Sequence, residues 1–359
     1  MNGDGIGPEV TRQGLKVLKA VAPVAGITLE TDEALIGGDA YDKAGSFLPD
    51  ETLEKSRQSD AILFGAVGGP KWANLDHTIK PEGGLLRLRK ELDLYANLRP
   101  ARVFDALVDA STLKREVVEG TDMMVIRELT GGIYFGEPRG AIEVDGRKGA
   151  RNTMIYMEYE IERVVRMGFE MALKRRNKLT SIDKSNVLEV SKLWRSIADR
   201  LAPEYPDVKL NHLYVDAAAM EIIRDPRQFD TIVTGNMFGD IISDEASMLT
   251  GSIGMLPSAS IGGEVALYEP IHGSAPDIAG QDKANPMASI LSVGMMFRYT
   301  FGMPAIDEWI QTAVNKVLMT NRTPEIQEKG KNLVGCEQMG DLILEALEAS
   351  KPVAVAGRA

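Results

Sequence analysis

Short apolar runs rich in β-branched residues alternate along the chain with longer stretches in which apolar positions recur every three or four residues. The short runs are typical of buried strands, and the longer stretches are typical of amphipathic helices. The predicted strands cover 27–30, 60–64, 122–128, 179–183, 209–215 and 230–236. The predicted helices cover 9–22, 49–58, 84–94, 158–175, 189–202, 217–224, 241–249 and 287–300. This alternation predicts an α/β protein with a largely parallel sheet.

Glycine-rich segments separate several of these elements, and Gly37-Gly38 predicts a loop after the first predicted strand. The first ten residues contain Gly3, Gly5 and Gly7, but they lack the spacing of the dinucleotide-binding fingerprint, so a plain turn is the simpler interpretation. Segment 137–153 is polar and rich in glycine, which predicts a β-structured arm. Segment 268–280 is a long loop with little core character, and such loops on a rigid scaffold often carry function.

Length and composition limit the classes of function. The 359 residues suffice for a large core and two lobes. A formal net charge of -11 argues against a nucleic-acid partner and against a polybasic membrane patch. One cysteine, Cys336, excludes an intrachain disulfide and a thiolate zinc site. No apolar run approaches the roughly 20 residues of a membrane span, and no signal-peptide pattern begins the chain, so a cytoplasmic location is expected.

The sequence Phe-Gly-Asp-Ile-Ile-Ser-Asp-Glu at 238–245 carries the clearest candidate chemistry. On the predicted helix that follows, Asp240 and Asp244 are four residues apart and share one face. Two carboxylates this close repel unless a cation lies between them or one keeps its proton. Carboxylate oxygens suit Mg²⁺ or Mn²⁺. The alternative is that Asp240 caps the helix and Asp244 is solvated.

Charged residues also stand where predicted strands end, at Arg127, Lys184, Asp216 and Asp240. Ligands of open α/β sheets bind outside the carboxyl ends of the strands, so these side chains are expected to converge. Paired guanidinium forks from arginines 89, 99 and 127 would hold a di- or tricarboxylate, whereas the alternative for each is a surface ion pair. Lys184 would act as a base if its pKa were lowered, and Tyr134 would donate a proton. Their alternatives are a solvated lysine and a core tyrosine.

Taken together, these motifs resemble the isocitrate/isopropylmalate dehydrogenase family of β-decarboxylating dehydrogenases. The matching segments follow one another in collinear order over nearly the whole chain. They are 1–15, 84–100, 125–136, 181–188, 214–220, 234–247, 256–259 and 272–286. The resemblance implies a two-domain α/β fold with a large mixed, mostly parallel sheet that is not a standard Rossmann domain. It also implies a cofactor-binding domain at 1–104 and 251–359 and a dimerisation and substrate/metal domain at 105–250.

The resemblance assigns roles to individual residues. Arg89, Arg99 and Arg127 match the arginines that hold the malate carboxylates, Tyr134 matches the general acid, and Lys184 matches the lysine that helps to deprotonate the 2-hydroxyl. Asp216, Asp240 and Asp244 match the Mg²⁺ or Mn²⁺ ligands, and Asp216 also lies at the substrate. In the family, Lys184 and Asp216 reach the site from the other subunit of a homodimer. Such a site would exist only in the dimer.

Further residues match the cofactor and the substrate side chain. Leu85, Leu86, Val187 and Glu82 match positions that face an isopropyl group, and Glu82 is assigned to cofactor binding as well. The NAD site is assigned to Gly254, His272, Gly273, Ser274, Ala275, Pro276, Asp277, Ile278 and Asn285. Asp277-Ile278 stands where NADP-using relatives carry Lys-Tyr, and a carboxylate there would repel a 2′-phosphate, so NAD is preferred.

The leucine pair favours isopropylmalate over a tricarboxylate, because apolar side chains would leave a third carboxylate unpaired. Homoisocitrate, isocitrate and tartrate dehydrogenases of the same family stay as alternatives. A two-lobed anion-binding protein without catalytic activity is an alternative of another class. One departure from the family pattern is that the apolar strand usually found before the first glycine loop is missing, which predicts a sheet without its first strand.

Overall fold

The apolar runs and amphipathic stretches fold into two discontinuous units of strands and helices. A computed structural model describes residues 1–75 and 80–352. Its first unit comprises Met1–Leu94, Phe104–Thr112 and Thr250–Ala359, and its second unit comprises Tyr95–Val103 and Leu113–Leu249. Each unit is described by itself below.

The units divide the chain at points that differ from the predicted ranges. The stretch 95–103 belongs to the second unit, although the prediction placed it in the first range, 1–104. Conversely, 105–112 belongs to the first unit, although the prediction placed it in the second range, 105–250. The roles assigned to the three predicted ranges stay predictions, and residues 353–359 of the last range lie outside the described residues.

Helices form at the amphipathic stretches. They are α1 (Gly7–Val21), α2 (Gly37–Ala44), α3 (Asp50–Arg57), α4 (Pro81–Glu91), α5 (Arg115–Val118), α6 (Glu158–Leu173), α7 (Glu189–Leu201), α8 (Val215–Arg224), α9 (Asn236–Ser247), α10 (Met287–Tyr299), α11 (Pro304–Leu318) and α12 (Cys336–Ala349). Proline occupies the first turn of α1, α4 and α11, where its fixed φ and missing N–H are tolerated.

Strands form at five of the six predicted runs and also at segments that are poor in β-branched residues, such as Ala96–Arg102 and Arg147–Arg151. They are β1 (Ala61–Leu63), β2 (Ala96–Arg102), β3 (Asp122–Glu128), β4 (Gly140–Val144), β5 (Arg147–Arg151), β6 (Lys178–Asp183), β7 (Lys209–Tyr214), β8 (Thr231–Thr234), β9 (Pro257–Ile261), β10 (Ala266–Pro270), β11 (Asn321–Arg322) and β12 (Asn332–Leu333). The strands β4 and β5 pair as an antiparallel hairpin within the predicted arm.

The second unit contains strands in the order β2-β3-β8-β6-β7. The strands β3, β8, β6 and β7 are parallel, and β2 is antiparallel to β3. The four parallel strands therefore end at the same edge, which is where the candidate residues stand. The α/β class and the mixed, mostly parallel pairing are confirmed.

In the first unit, β10 pairs in parallel with β1 and antiparallel with β9. Helix α10 packs against these strands and against α1 and α11. Its residues from Met287 to Phe297 are all buried, so it is apolar on every side rather than amphipathic. Residues at the start of the described chain contact the loop that follows β1, where Gly3 forms a parallel bridge with Ala66.

Two local predictions are wrong. Ile27 and Leu29 are half-buried and alternate with exposed residues, yet no strand is assigned at 27–30 in the described chain. Alternation marks a half-buried surface, but a strand also needs a neighbour to complete its ladder. The predicted loop at Gly37-Gly38 is the beginning of helix α2 instead.

Asp4 explains why a helix begins at these glycines. Its buried carboxylate accepts hydrogen bonds from the backbone N–H groups of Gly38 and Asp39 at 2.8 Å each. It also accepts from the N–H of Gly68 at 2.9 Å. The side chain thus satisfies the unpaired N–H groups at the start of α2 from a distant part of the chain.

Replacement of Asp4 by Asn should lower the free energy of unfolding by about 1–3 kcal/mol, because an amide NH₂ would face buried N–H donors that need an acceptor. Chemical denaturation of Asp4→Asn measures this change. Asp60→Asn makes the same substitution at an exposed position and should leave stability unchanged. Equal stability of the two variants would contradict the capping role.

Candidate active site

The carboxyl ends of the parallel strands in the second unit bring the predicted acidic and basic residues together. Arg127 is the penultimate residue of β3, and α9 begins two residues after β8 ends. Because β3 and β8 are neighbours in parallel register, the arginine and the helix lie side by side. Strand β2 adds Arg99 from the other side of β3.

Asp240 and Asp244 lie one turn apart inside α9. The helix begins at Asn236, five residues earlier than the sequence pattern indicated, so Asp240 is not its N-cap. Asp240 forms a short ion pair through Oδ1 with Arg127 Nη1, and its Oδ2 accepts from the Tyr134 hydroxyl at 3.1 Å. Asp244 Oδ1 lies 3.1 Å from Arg99 Nη1. The two carboxylates thus face two guanidinium groups.

Both arginines are buried, which rules out a surface ion pair as their main role. The side chain of Arg99 is 10% exposed and that of Arg127 is 5% exposed. Arg99 Nη1 also donates to Ser243 Oγ at 2.7 Å and lies 3.5 Å from Asp240 Oδ1. Two buried cations beside two carboxylates form a site suited to anionic ligands.

The protonation of Tyr134 and Asp244 follows from burial and from Asp240. Burial and then the negative charge of Asp240 raise the pKa of the Tyr134 phenol above its ordinary value of 10.0, so the hydroxyl keeps its proton at neutral pH. Burial also raises the pKa of Asp244; Arg99 opposes this shift and Asp240 adds to it. The neutral Tyr134 hydroxyl therefore donates its hydrogen bond to Asp240.

Lys184 and Asp216 form a second pair at the same edge of the sheet. Lys184 follows β6, Asp216 lies in the first turn of α8 after β7, and Nζ is 2.5 Å from Oδ1. This hydrogen bond lowers the pKa of the Asp216 carboxyl. The turn that contains Lys184 is held by buried Asp183. Its carboxylate accepts hydrogen bonds from the N–H of Ser185 at 2.8 Å and from Arg195 Nε at 2.8 Å.

The predicted metal ligands offer hard carboxylate oxygens, as Mg²⁺ or Mn²⁺ requires. Asp240 and Asp244 are neighbours on one helix face, and their mutual repulsion is of the kind that a divalent cation relieves. In the described part of this one chain, however, oxygens of Asp216, Asp240 and Asp244 do not all lie within 4.8 Å of one another. The three-aspartate site stays a prediction.

The first unit holds the predicted cofactor loop after β10. Ser274 anchors it, because its carbonyl accepts from the N–H of Ile6 at 2.7 Å and its Oγ donates to the carbonyl of Gly68 at 2.8 Å. A Cβ at Gly5 would come within 1.9 Å of the Ser274 carbonyl oxygen, so glycine is required for this approach. Around this anchor, Gly273, Pro276 and Asp277 are exposed, while Ala275 and Ile278 are half-buried.

His272 and its surroundings fit a ligand with a hydrogen-bonding group. Its Nδ1 lies 2.9 Å from the carbonyl oxygen of Gly273. Its Nε2 is buried and has no hydrogen-bond partner among the described residues, and burial lowers the pKa of the ring. Asn285 and Gly254 lie together beside Glu325, whose Oε2 would be 2.3 Å from a Cβ at Gly254.

The remaining predicted residues are divided between the units. In the first unit, Arg89 Nη2 lies 2.7 Å from Glu269 Oε1, and its buried Nε has no partner among the described residues. Leu85 packs against the core cluster of this unit, and Leu86 is half-buried. Glu82 is exposed with its carboxylate near Gly68. Val187, in the second unit, is 65% exposed.

Sequence reasoning missed several polar residues of these sites. Asn97, Asn236 and Ser243 contact the two arginines, and Glu325 lies near the cofactor loop. Ser243 stands three residues after Asp240, so helical spacing alone would have placed it on the same face. Asn97 stands two residues before Arg99, so the period of a strand would have placed them on one face. Asn236 contacts Arg127 across 109 residues, and no local spacing indicates that contact.

No helix in the described part of the chain is long and apolar enough to cross a membrane.

Among solved structures, an isocitrate dehydrogenase from Methylococcus capsulatus superposes with a TM-score of 0.85 at 33% identity, covering 96% of this chain and 97% of that one. A β-decarboxylating dehydrogenase from Thermococcus kodakarensis superposes with a TM-score of 0.77 at 34% identity, covering 97% and 95%.

Sequence comparisons agree with the fold. A curated 3-isopropylmalate dehydrogenase from Aquifex aeolicus is 59% identical over 352 residues, covering 98% of this chain and 97% of that protein. One from Trichormus variabilis is 58% identical over 351 residues, with 97% coverage of each. The family model described as isocitrate/isopropylmalate dehydrogenase matches residues 1–343. The chain therefore belongs to the isocitrate/isopropylmalate dehydrogenase family, as its motifs predicted.

Proposed function

We propose that the chain is an NAD-dependent enzyme that converts (2R,3S)-3-isopropylmalate to 4-methyl-2-oxopentanoate and CO₂ in leucine biosynthesis. Its close similarity to curated 3-isopropylmalate dehydrogenases over nearly the full length of both chains is the observation that carries this proposal. The buried Arg99 and Arg127 beside Tyr134 add the groups that a dicarboxylate substrate would need.

In this proposal Arg89, Arg99 and Arg127 bind the malate carboxylates. Lys184 Nζ accepts the proton of the 2-hydroxyl as the hydride leaves C2, and the resulting β-keto acid loses CO₂. The Tyr134 hydroxyl then donates a proton to C3. The loop at 272–278 would hold NAD together with Asn285 and Gly254, and the bound cofactor would supply the hydride acceptor. Asp216, Asp240 and Asp244 would hold Mg²⁺ or Mn²⁺, which would supply positive charge to stabilise the negative charge that develops on the substrate.

The proposed assembly is a cytoplasmic homodimer. Lys184 and Asp216 lie on neighbouring strand ends and contact each other rather than Asp240 in this chain. A second copy would bring its own Lys184–Asp216 pair to the arginines and aspartates of the first. A non-catalytic anion-binding protein is set aside, because the family consists of dehydrogenases.

Isopropylmalate should reduce NAD in the presence of Mn²⁺, while isocitrate, homoisocitrate and tartrate should react at least about tenfold more slowly, as expected for losing the fit of one apolar group. Chelation by EDTA should abolish turnover, and added Mn²⁺ should restore it. NADH absorbance measures both effects. Faster turnover of another of these acids would assign the chain to a different member of the family.

Lys184→Met should lower kcat about 10²–10⁴-fold, because the variant has no base at the 2-hydroxyl. The variant is measured by NADH formation at saturating substrate. Lys192→Met removes an exposed lysine that pairs with Glu189 and should keep full activity. Unchanged kcat in Lys184→Met would refute the assignment of the base.

Tyr134→Phe should lower kcat by a similar factor, because C3 would lose its proton donor. Since burial and Asp240 raise the pKa of this phenol, the unmodified chain should show no loss of kcat from its ionisation below about pH 10. A pH–rate profile tests the second point. Tyr159→Phe alters an exposed tyrosine and serves as the control; equal kcat in the two variants would contradict the role of Tyr134.

A further inference from the structure

Arg99 and Arg127, the arginines of the candidate site in the second unit, are held by the same kind of contact. Arg99 Nε donates to Asn97 Oδ1 at 2.6 Å. Arg127 donates to Asn236 Oδ1 from both Nε and Nη2, at 3.0 and 2.9 Å. Both asparagines are buried, with exposures of 0% and 1%. Each guanidinium is therefore fixed along its Nε edge by an uncharged amide oxygen.

Three other arginines of the described chain are fixed along the same edge by buried carboxylates. The Nε of Arg175 lies 2.8 Å from Asp230, that of Arg195 lies 2.8 Å from Asp183, and that of Arg298 lies 2.5 Å from Asp307. These three aspartates are buried. A buried carboxylate fixes a guanidinium and also adds a negative charge beside it, whereas an amide oxygen fixes the guanidinium and adds no charge to the ion pairs that it already makes.

The orientation of the Asn236 amide is determined by its neighbours. Its Nδ2 donates to the carbonyl oxygen of Gly131 at 3.0 Å, and a carbonyl can only accept, so Oδ1 faces Arg127. Its backbone N–H donates to the Tyr156 hydroxyl at 2.8 Å. Tyr156 is in turn hydrogen-bonded to buried Glu128. Asn236 is thus held on three sides.

We propose that Asn97 and Asn236 are positioning residues, which fix Arg99 and Arg127 for a dicarboxylate substrate without adding to the negative charge that Asp240 and Asp244 already place beside these guanidinium groups. This inference rests on the proposed function for the identity of that substrate. The asparagines should therefore affect the binding of the substrate rather than the chemical step, because they contact the arginines and not the reacting atoms.

The kinetic test uses Asn236→Asp, and Asn236→Ala is used for a structural test. An aspartate keeps an acceptor oxygen beside Arg127 but adds a negative charge, so a purely structural role predicts an unchanged KM for isopropylmalate in Asn236→Asp. Positioning without added negative charge predicts a substrate KM raised about tenfold or more, the effect of weakening one charge-assisted hydrogen bond. Neither kcat nor the KM for NAD should change by more than about threefold, which corresponds to a much smaller free-energy change than a tenfold change in KM.

Matched variants complete the design. Asn97→Asp should raise the substrate KM in the same way through Arg99. Asn332→Asp adds the same charge at an exposed position and should change neither KM. A substrate KM within about twofold of the unmodified chain in Asn236→Asp would overturn the proposal for that residue. If the Asn236 variants do not fold, Asn97→Asp decides by the same criterion.

A crystal structure of Asn236→Ala gives a readout that does not depend on turnover. The guanidinium of Arg127 should rotate or shift when its Nε edge loses the amide oxygen, and an unmoved guanidinium would overturn the positioning role. If the unmodified chain does not oxidise isopropylmalate, the proposed function fails, but this structure still decides the role of Asn236.

Discussion

Burial of two guanidinium groups beside α9 is the constraint on which the second unit's site depends. A buried cation is costly unless its donors are matched and its charge is balanced. Arg99 and Arg127 meet this requirement through carboxylates on one helix face and amide oxygens behind them. The parallel strands make this possible, because their common direction brings the ends of β3 and β8 together.

Protein acceptors on several sides also limit the freedom of the arginine side chains. A substrate that binds such groups loses less side-chain entropy than one that must order flexible surface arginines. The same argument applies to Lys184, whose turn is fixed by the buried Asp183–Arg195 pair. Much of the cost of ordering the site is thus met when the chain folds.

The sequence indicated the parts of this arrangement that depend on local spacing. The helical interval between Asp240 and Asp244, the strand ends at Arg127 and Lys184, and the arm at 137–153 all follow from short-range patterns. The fold class and the family were predictable for the same reason, since the motifs occur in order along nearly the whole chain.

Long-range contacts account for what the sequence did not indicate. Helix α2 begins at two glycines because Asp4 supplies acceptors from 34 residues away. Asn236 reaches Arg127 across 109 residues, so no local spacing joins them. Conversely, the alternation at 27–30 predicted a strand, although no pairing completes one there in the described chain.

In the loop after β10, the residue that anchors the backbone and the exposed acidic residue are different. Backbone and hydroxyl groups of Ser274 fasten the loop to Ile6 and Gly68, whereas the side chain of Asp277 stands exposed. The attachment of the loop therefore does not depend on the Asp277 side chain. For enzyme engineering, this means that position 277, which the proposed function assigns to the cofactor site, can be substituted while the loop keeps its path.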